Sequence, residues 1–165
     1  MQNLSDVVQS FLEDDDWKYE KRSDRDIFLA GISAKHSSYQ LVFDVKEEAS
    51  QLIIYTIVPQ HVPEEYRCEI SEFLTRANYG IIIGNFELDF DDGEVRYKTS
   101  IDVEGGELVP AMVHQMTLYG ISTTDRYFPG IMAVCYGGKS AQAAVLDIEN
   151  PLSGDDDSDD DEDNE

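Results

Sequence analysis

Leu4, Val7, Val8, Phe11 and Leu12 recur every three to four residues, which predicts a short amphipathic helix over residues 3–14. Asn3 is placed to cap it, and Asp6 falls in its first turn. Such a stripe packs on a sheet or, failing that, offers a dimer or partner surface. The period then changes to two. "DIFLAGISA" is rich in strand formers, and "SYQLVFDV" puts Tyr39, Leu41, Phe43 and Val45 on one face. "QLIIYTIV" is apolar on both faces except at Thr56. The links "KHS" and "KEEAS" are short and polar, so these strands form an antiparallel meander that Pro59 ends.

Helical spacing returns at Pro63, a favoured first-turn residue, with Glu64 and Glu65 at the dipole's positive end. Tyr66, Ile70, Phe73, Leu74 and Ala77 make the inner stripe, and Asn78 and Gly80 suit the exit. In "NFELDFDDGEVRYKTSIDV", Asp92-Gly93 predicts a two-residue hairpin turn. That turn pairs Phe90 with Val95, Leu88 with Tyr97 and Phe86 with Thr99 on one face. On the other it pairs Asp89 with Arg96 and Glu87 with Lys98. Leu108, Val109, Met112, Val113 and Met116 mark a third helix, with Pro110 in its first turn and Gly120 near its end. Thr124 or Asp125 would cap a further segment through "YFPGIMAVCY", Gly137-Gly138 would interrupt it, and "KSAQAAVLDIE" reads as a last helix. The order is α-β-β-β-α-β-β-α, with that last helix as an addition. The class is α+β: a mostly antiparallel sheet with helices covering one face.

The chain has 165 residues, which suits one domain, taken as 1–149, followed by an acidic tail at 150–165 with no packing face. The net charge is −23; nine of the acids lie in Asp155–Glu165, and without them −14 remains. A body that acidic disfavours nucleic-acid backbone and anionic membranes, and accepts a basic or apolar protein partner more easily. No apolar run approaches a membrane span, the N-terminus lacks a secretory pattern, and two cysteines imply no disulfide framework, so a cytoplasmic location is expected. Lys18, Lys21, Arg22 and Arg25 form the one basic cluster, a conceivable seat for the tail.

Candidate chemistry is thin. "AVCYGGKS" fits the loosest phosphate-loop pattern, with "IMAV" as its strand and Gly138, Lys139 and Ser140 as its end. The first position is Ala133 rather than Gly, no later strand supplies an acidic metal ligand, and the order of elements is wrong for a parallel nucleotide-binding sheet. A helix-breaking Gly-Gly with a Ser140 cap explains the same residues better, and nucleotide binding remains the alternative function. "ELDFDDGE" lacks the Gly and Glu that a calcium loop needs at its sixth and twelfth positions. His36, His61 and His114 are scattered, and Cys68 is expected to be a half-buried inert thiol. No catalytic, cofactor-binding or metal residue emerges, and no residue is assigned to partner binding.

"FLTRANYGIIIGNFELDFDDGEVRYKTSI" and "DRYFPGIMAV" resemble the YbjN family of bacterial proteins, over roughly residues 4–148. That family looks like the fold of type III secretion chaperones, often acidic and usually dimeric. The resemblance implies a non-enzymatic protein-binding adaptor or chaperone-like regulator in signal transduction or stress response, without cofactors, working as a homodimer. By the same analogy, partners would bind along strands 27–57 and helix 3–14.

Overall fold

The computed structural model describes residues 3–22 and 24–150. The acidic run from Pro151 on, and with it any tail contact to the basic cluster, lies outside them. The first helix, α1 (Leu4–Asp14), is capped by Asn3, whose side chain accepts the Asp6 N–H at 3.0 Å. Glu47 adds a second anion to this end, accepting the N–H groups of Leu4 and Ser5 at 3.2 and 2.7 Å. The expected stripe of Leu4, Val7, Val8, Phe11 and Leu12 is buried in the core, so it is not free for a partner.

Six strands follow: β1 (Tyr19–Lys21), β2 (Ile27–Ser33), β3 (Ser38–Lys46), β4 (Gln51–Ile57), β5 (Asn85–Leu88) and β6 (Val95–Asp102). They form one antiparallel sheet in the order β1-β2-β3-β4-β6-β5. The meander and the hairpin are as the alternation predicts. β1 is the unexpected strand: only three residues long, it carries too little alternation to read. Between β4 and β5 lies α2 (Arg67–Gly80), which starts after a tight turn over Glu64–Tyr66 rather than at Pro63.

The hairpin turn is wider than expected. Leu88 pairs with Val95, Glu87 with Arg96 and Phe86 with Tyr97, a slip of two residues from the register a two-residue turn dictates. The Asp89 N–H donates to the Glu94 carbonyl at 2.9 Å, leaving four residues in the loop. Asp89 and Asp92 side chains each accept the N–H two residues on, and Gly93 takes φ +82°. The neighbouring segment fixes this shape: Val62 N–H donates to the Gly93 carbonyl at 2.8 Å, and Arg67 donates to the Phe90 carbonyl at 2.8 Å. A Cβ on Gly93 would meet the Val62 carbonyl oxygen at 2.2 Å. A slip of two keeps the strand side chains on their faces, with Phe86, Val95 and Tyr97 on the covered side and Glu87, Arg96 and Lys98 on the other; Phe90, expected opposite Val95, lies in the loop instead and is exposed.

One continuous helix, α3 (Pro110–Tyr136), replaces the expected pair. Gly120 does not end it: a Cβ there would stand 2.6 Å from Thr56 Oγ1, so Gly120 lets the helix lie close on β4. Thr124 and Asp125 are not caps but buried inner-face residues. Thr124 folds its hydroxyl onto the Gly120 carbonyl at 2.6 Å. Pro129 sits mid-helix and cannot donate to the carbonyl of Asp125. His36 does so instead: its Nδ1 lies 2.9 Å from that oxygen and therefore carries the proton. The helix thus survives its proline because a turn of the sheet fills the gap. A last helix, α4 (Ala141–Glu149), packs on α2 and α3.

The helices cover one face of the sheet. Beneath them lie Phe28, Leu41, Phe43, Leu52 and Ile54 with α1 and the first half of α3. A second cluster joins Phe73, Phe86, Tyr97, Tyr127 and Ile131 under α2, α4 and the second half of α3.

Candidate protein-binding surface

Alternate strand residues point away from the helices, and among the described residues no element lies over them. The paired positions Glu20, Leu29, Val42, Tyr55 and Lys98 run across five strands as one row. A neighbouring row runs Ile27, Asp44, Ile53, Ser100, and another Gly31, Gln40, Ile57, Arg96, Glu87. Leu29, Val42, Ile53, Tyr55 and Ile57 are only half-buried, although β3 and β4 are central strands. The result is an apolar stripe over the middle of the sheet, bordered by charge.

The border is built from ion pairs. Glu87 binds Arg96 at 2.8 Å and also holds Lys98. Burial pushes the Glu87 carboxyl up, but the Lys98 and Arg96 bonds outweigh it and hold the group below the ordinary value. The Arg96 guanidinium stacks over Tyr55, 4.3 Å from the ring centre. Lys46 pairs with Asp44 at 2.8 Å, and Gln51 donates to Asp102 at 2.9 Å. Two shallow depressions open here: about 260 Å³ beside Ile53, Tyr55 and Lys98, and about 490 Å³ around Glu87, Phe90 and Arg96. The sheet strands bring Lys46, Arg96 and Lys98 against Glu20, Asp44, Glu87 and Asp102, so this face is close to neutral on a strongly acidic body. One sequence signal pointed here: "QLIIYTIV", apolar on both faces, reads as a strand covered on both sides, yet only one side is covered.

The edges differ from the face. Phe86 turns its free N–H and C=O outward from β5, and the Asn78 side chain takes both, at 2.7 and 3.1 Å. Asn78 therefore closes this edge as a stand-in strand, a role its position at a helix end did not reveal.

The other candidates are dispersed. "IMAV", the strand a phosphate loop would need, is the end of α3. Ser140 caps α4, accepting the Ala143 N–H at 3.3 Å, and Lys139 pairs with Asp147. The Ala141 N–H, where a phosphate would sit, already donates to Glu69 at 2.7 Å. His61 contacts the Asp92 carbonyl at 3.0 Å, and His114 meets Asp15 at 2.8 Å. Cys68 is exposed rather than half-buried, because it opens α2 on its outer side, and Cys135 is buried. Burial pushes the Cys135 thiol up, which suppresses its thiolate. Among the described residues no group of three or more His, Cys, Asp or Glu side chains is placed to hold a metal ion, and no helix is long and apolar enough to cross a membrane.

Sequence reasoning missed one polar node. Asp125, inside α3 and 9% exposed, accepts the His36 N–H at 2.9 Å and the Tyr39 hydroxyl at 3.0 Å. The His36 ring lies 3.1 Å away. Burial pushes the Asp125 carboxyl up, but the His36 amide, the Tyr39 hydroxyl and the His36 ring together hold it below the ordinary value. Burial first, then Asp125, pushes the Tyr39 phenol up. The node ties the β2–β3 turn to α3 and satisfies the proline gap, which is a structural task.

The YbjN family model, described as "Putative bacterial sensory transduction regulator", matches residues 4–132. The crystal structure of YbjN from E. coli aligns with a TM-score of 0.56 at 9% identity, covering 83% of this chain and 92% of that one, so the two share a fold. The HopA1–SchA chaperone–effector complex aligns with a TM-score of 0.47 at 12% identity, over 72% of this chain and 88% of that one. No curated protein matches the sequence.

Proposed function

The chain belongs to the YbjN family, and from that premise we propose that it is a non-catalytic protein-binding adaptor or chaperone-like regulator, acting in the cytoplasm as a homodimer. Residues 1–149 are the working domain, and 150–165 are an appended acidic tail. The observation that carries this reading is the uncovered sheet face. Leu29, Val42, Ile53, Tyr55 and Ile57 keep a part of their side chains open on β2, β3 and β4, and covering them with a partner would remove that apolar area from water at about 25 cal/mol per Å². The ion pairs around the stripe give it a polar rim.

The test is affinity capture with mass spectrometry from native lysate, using three baits: the full chain, the chain cut at Asn150, and a folded Val42→Asp/Tyr55→Glu variant. One dominant protein, kept by the first two baits and lost by the third, supports a partner surface on the sheet. A protein held by all three places the surface elsewhere.

A further inference from the structure

The last helix, α4, ends beside an open apolar groove. The groove lies between α2 and α4, measures about 350 Å³, and is lined by Arg76, Tyr79, Gln142, Val145, Leu146 and Glu149. Its apolar walls face solvent: Tyr79 is 97% exposed and Leu146 47%. The helix stops at Glu149, on the groove's rim, and Asn150 leaves the helical path with φ −125° and ψ 66°. Pro151 follows, which lacks the N–H that a further helical turn needs. In residues 151–165 the only apolar side chains are Pro151 and Leu152, and after Gly154 come Asp155, Asp156 and Asp157.

We propose that this groove is the seat of the chain's own next residues: Pro151–Gly154 turn back along α4 and set the Leu152 side chain between Tyr79 and Leu146. The lengths agree. From Glu149 back to Gln142 the helix rises about 10 Å, and four extended residues span about 13 Å. Leu152, two residues past the turn, stands about 7 Å back along the helix, level with Leu146. The charges agree as well. The C-terminal end of a helix is the negative end of its dipole, and Asp147 and Glu149 add to it here, so a run of acids is repelled from that end. Turned back, Asp155–Asp157 start near the other end, where the dipole is positive and Lys139 stands. Lys139 pairs with Asp147, but both side chains are half-exposed and such a pair is weak. The strap covers apolar wall that the packing of α2 on α4 leaves open, and it keeps the acids on the helical side of the molecule. It does not depend on what the sheet face binds.

The experiment is hydroxyl-radical footprinting at Tyr79 and Leu146 in four proteins: the full chain, full-length Leu152→Asp, the chain cut after Gly154, and the chain cut at Asn150. Leu41, buried under the helices, reports an intact fold in each. The expected result is that Tyr79 and Leu146 are shielded in the full chain and in the chain ending at Gly154, and oxidise severalfold faster in Leu152→Asp and in the chain ending at Asn150. Equal oxidation in the full chain and the chain cut at Asn150 overturns the proposal, as does shielding that survives Leu152→Asp. Shielding lost on cutting after Gly154 also overturns it, because the acids rather than Leu152 then hold the segment. Shielding that grows as the full chain is concentrated overturns it in favour of a second copy in the groove.

Discussion

The two faces of the sheet are woven from the same strands, yet they follow different rules. On the covered face Phe43 and Leu41 are fully buried. Thr56 keeps a buried hydroxyl with no partner among protein atoms. On the bare face Tyr55 and Val42, also in the centre of the sheet, stay only partly buried. One face is sealed by α1, α2 and α3, while the other has apolar area left over. Apolar area left open and ringed by ion pairs is the feature on which the proposed partner surface rests.

The sharpest way to break this comparison is to truncate one ring on each face. Phe43→Ala should cost about 3–5 kcal/mol, through lost transfer energy and a cavity. Tyr55→Ala should cost at most about 1 kcal/mol, mostly its stacking with Arg96. Urea unfolding followed by circular dichroism measures both, and equal losses would erase the distinction.

Next comes the node that holds α3 to the covered face. Asp125→Ala leaves the His36 N–H and the Tyr39 hydroxyl unpaired and should cost about 2–3 kcal/mol in the same assay. The node also has a pH signature. Because Asp125 titrates below its ordinary value in the fold, its contribution is complete above about pH 4 and is lost as pH falls through the folded-state value. Asp125→Asn should therefore lose stability less steeply below about pH 4 than the parent chain; parallel acid limbs would contradict this.

A smaller effect belongs to the sheet's closed edge. Asn78→Ala removes the partner of the Phe86 N–H, while Asn85 still donates to the Phe86 carbonyl at 3.2 Å; it should cost about 1–2 kcal/mol, with faster amide exchange at Phe86. Unchanged exchange there would mean the edge was never sealed by Asn78. The smallest effect tests the covered face from within. Thr56→Val replaces an unpaired buried hydroxyl by a methyl of the same shape and should be neutral or slightly stabilising; a loss above about 1 kcal/mol would reveal a bond to Thr56 that the fold does not show.

How much of this was legible depends on the range of the interaction that fixes each feature. The α1 stripe and the three long strands follow local period, and Asn3 and Ser140 are local caps, so the sequence announces them. The hairpin register needed the Val62 and Arg67 contacts, which come from a different segment, and the Asp92-Gly93 pair alone misled by two residues. The run of α3 past Gly120 and Pro129 needed Thr56 to accept a close helix and His36 to fill a carbonyl, both distant in sequence. The bare face was half legible. "QLIIYTIV" showed two apolar sides, but only the positions of the helices decide which side stays open.

The most direct test of the central claim is hydroxyl-radical footprinting of the chain alone and bound to its captured partner. Alone, Leu29, Val42 and Tyr55 should be oxidised while Leu41 and Phe43 stay silent. With the partner bound, Leu29, Val42 and Tyr55 should fall silent as well. Unchanged oxidation at those three residues in the bound chain would contradict the account and move the binding surface off the sheet.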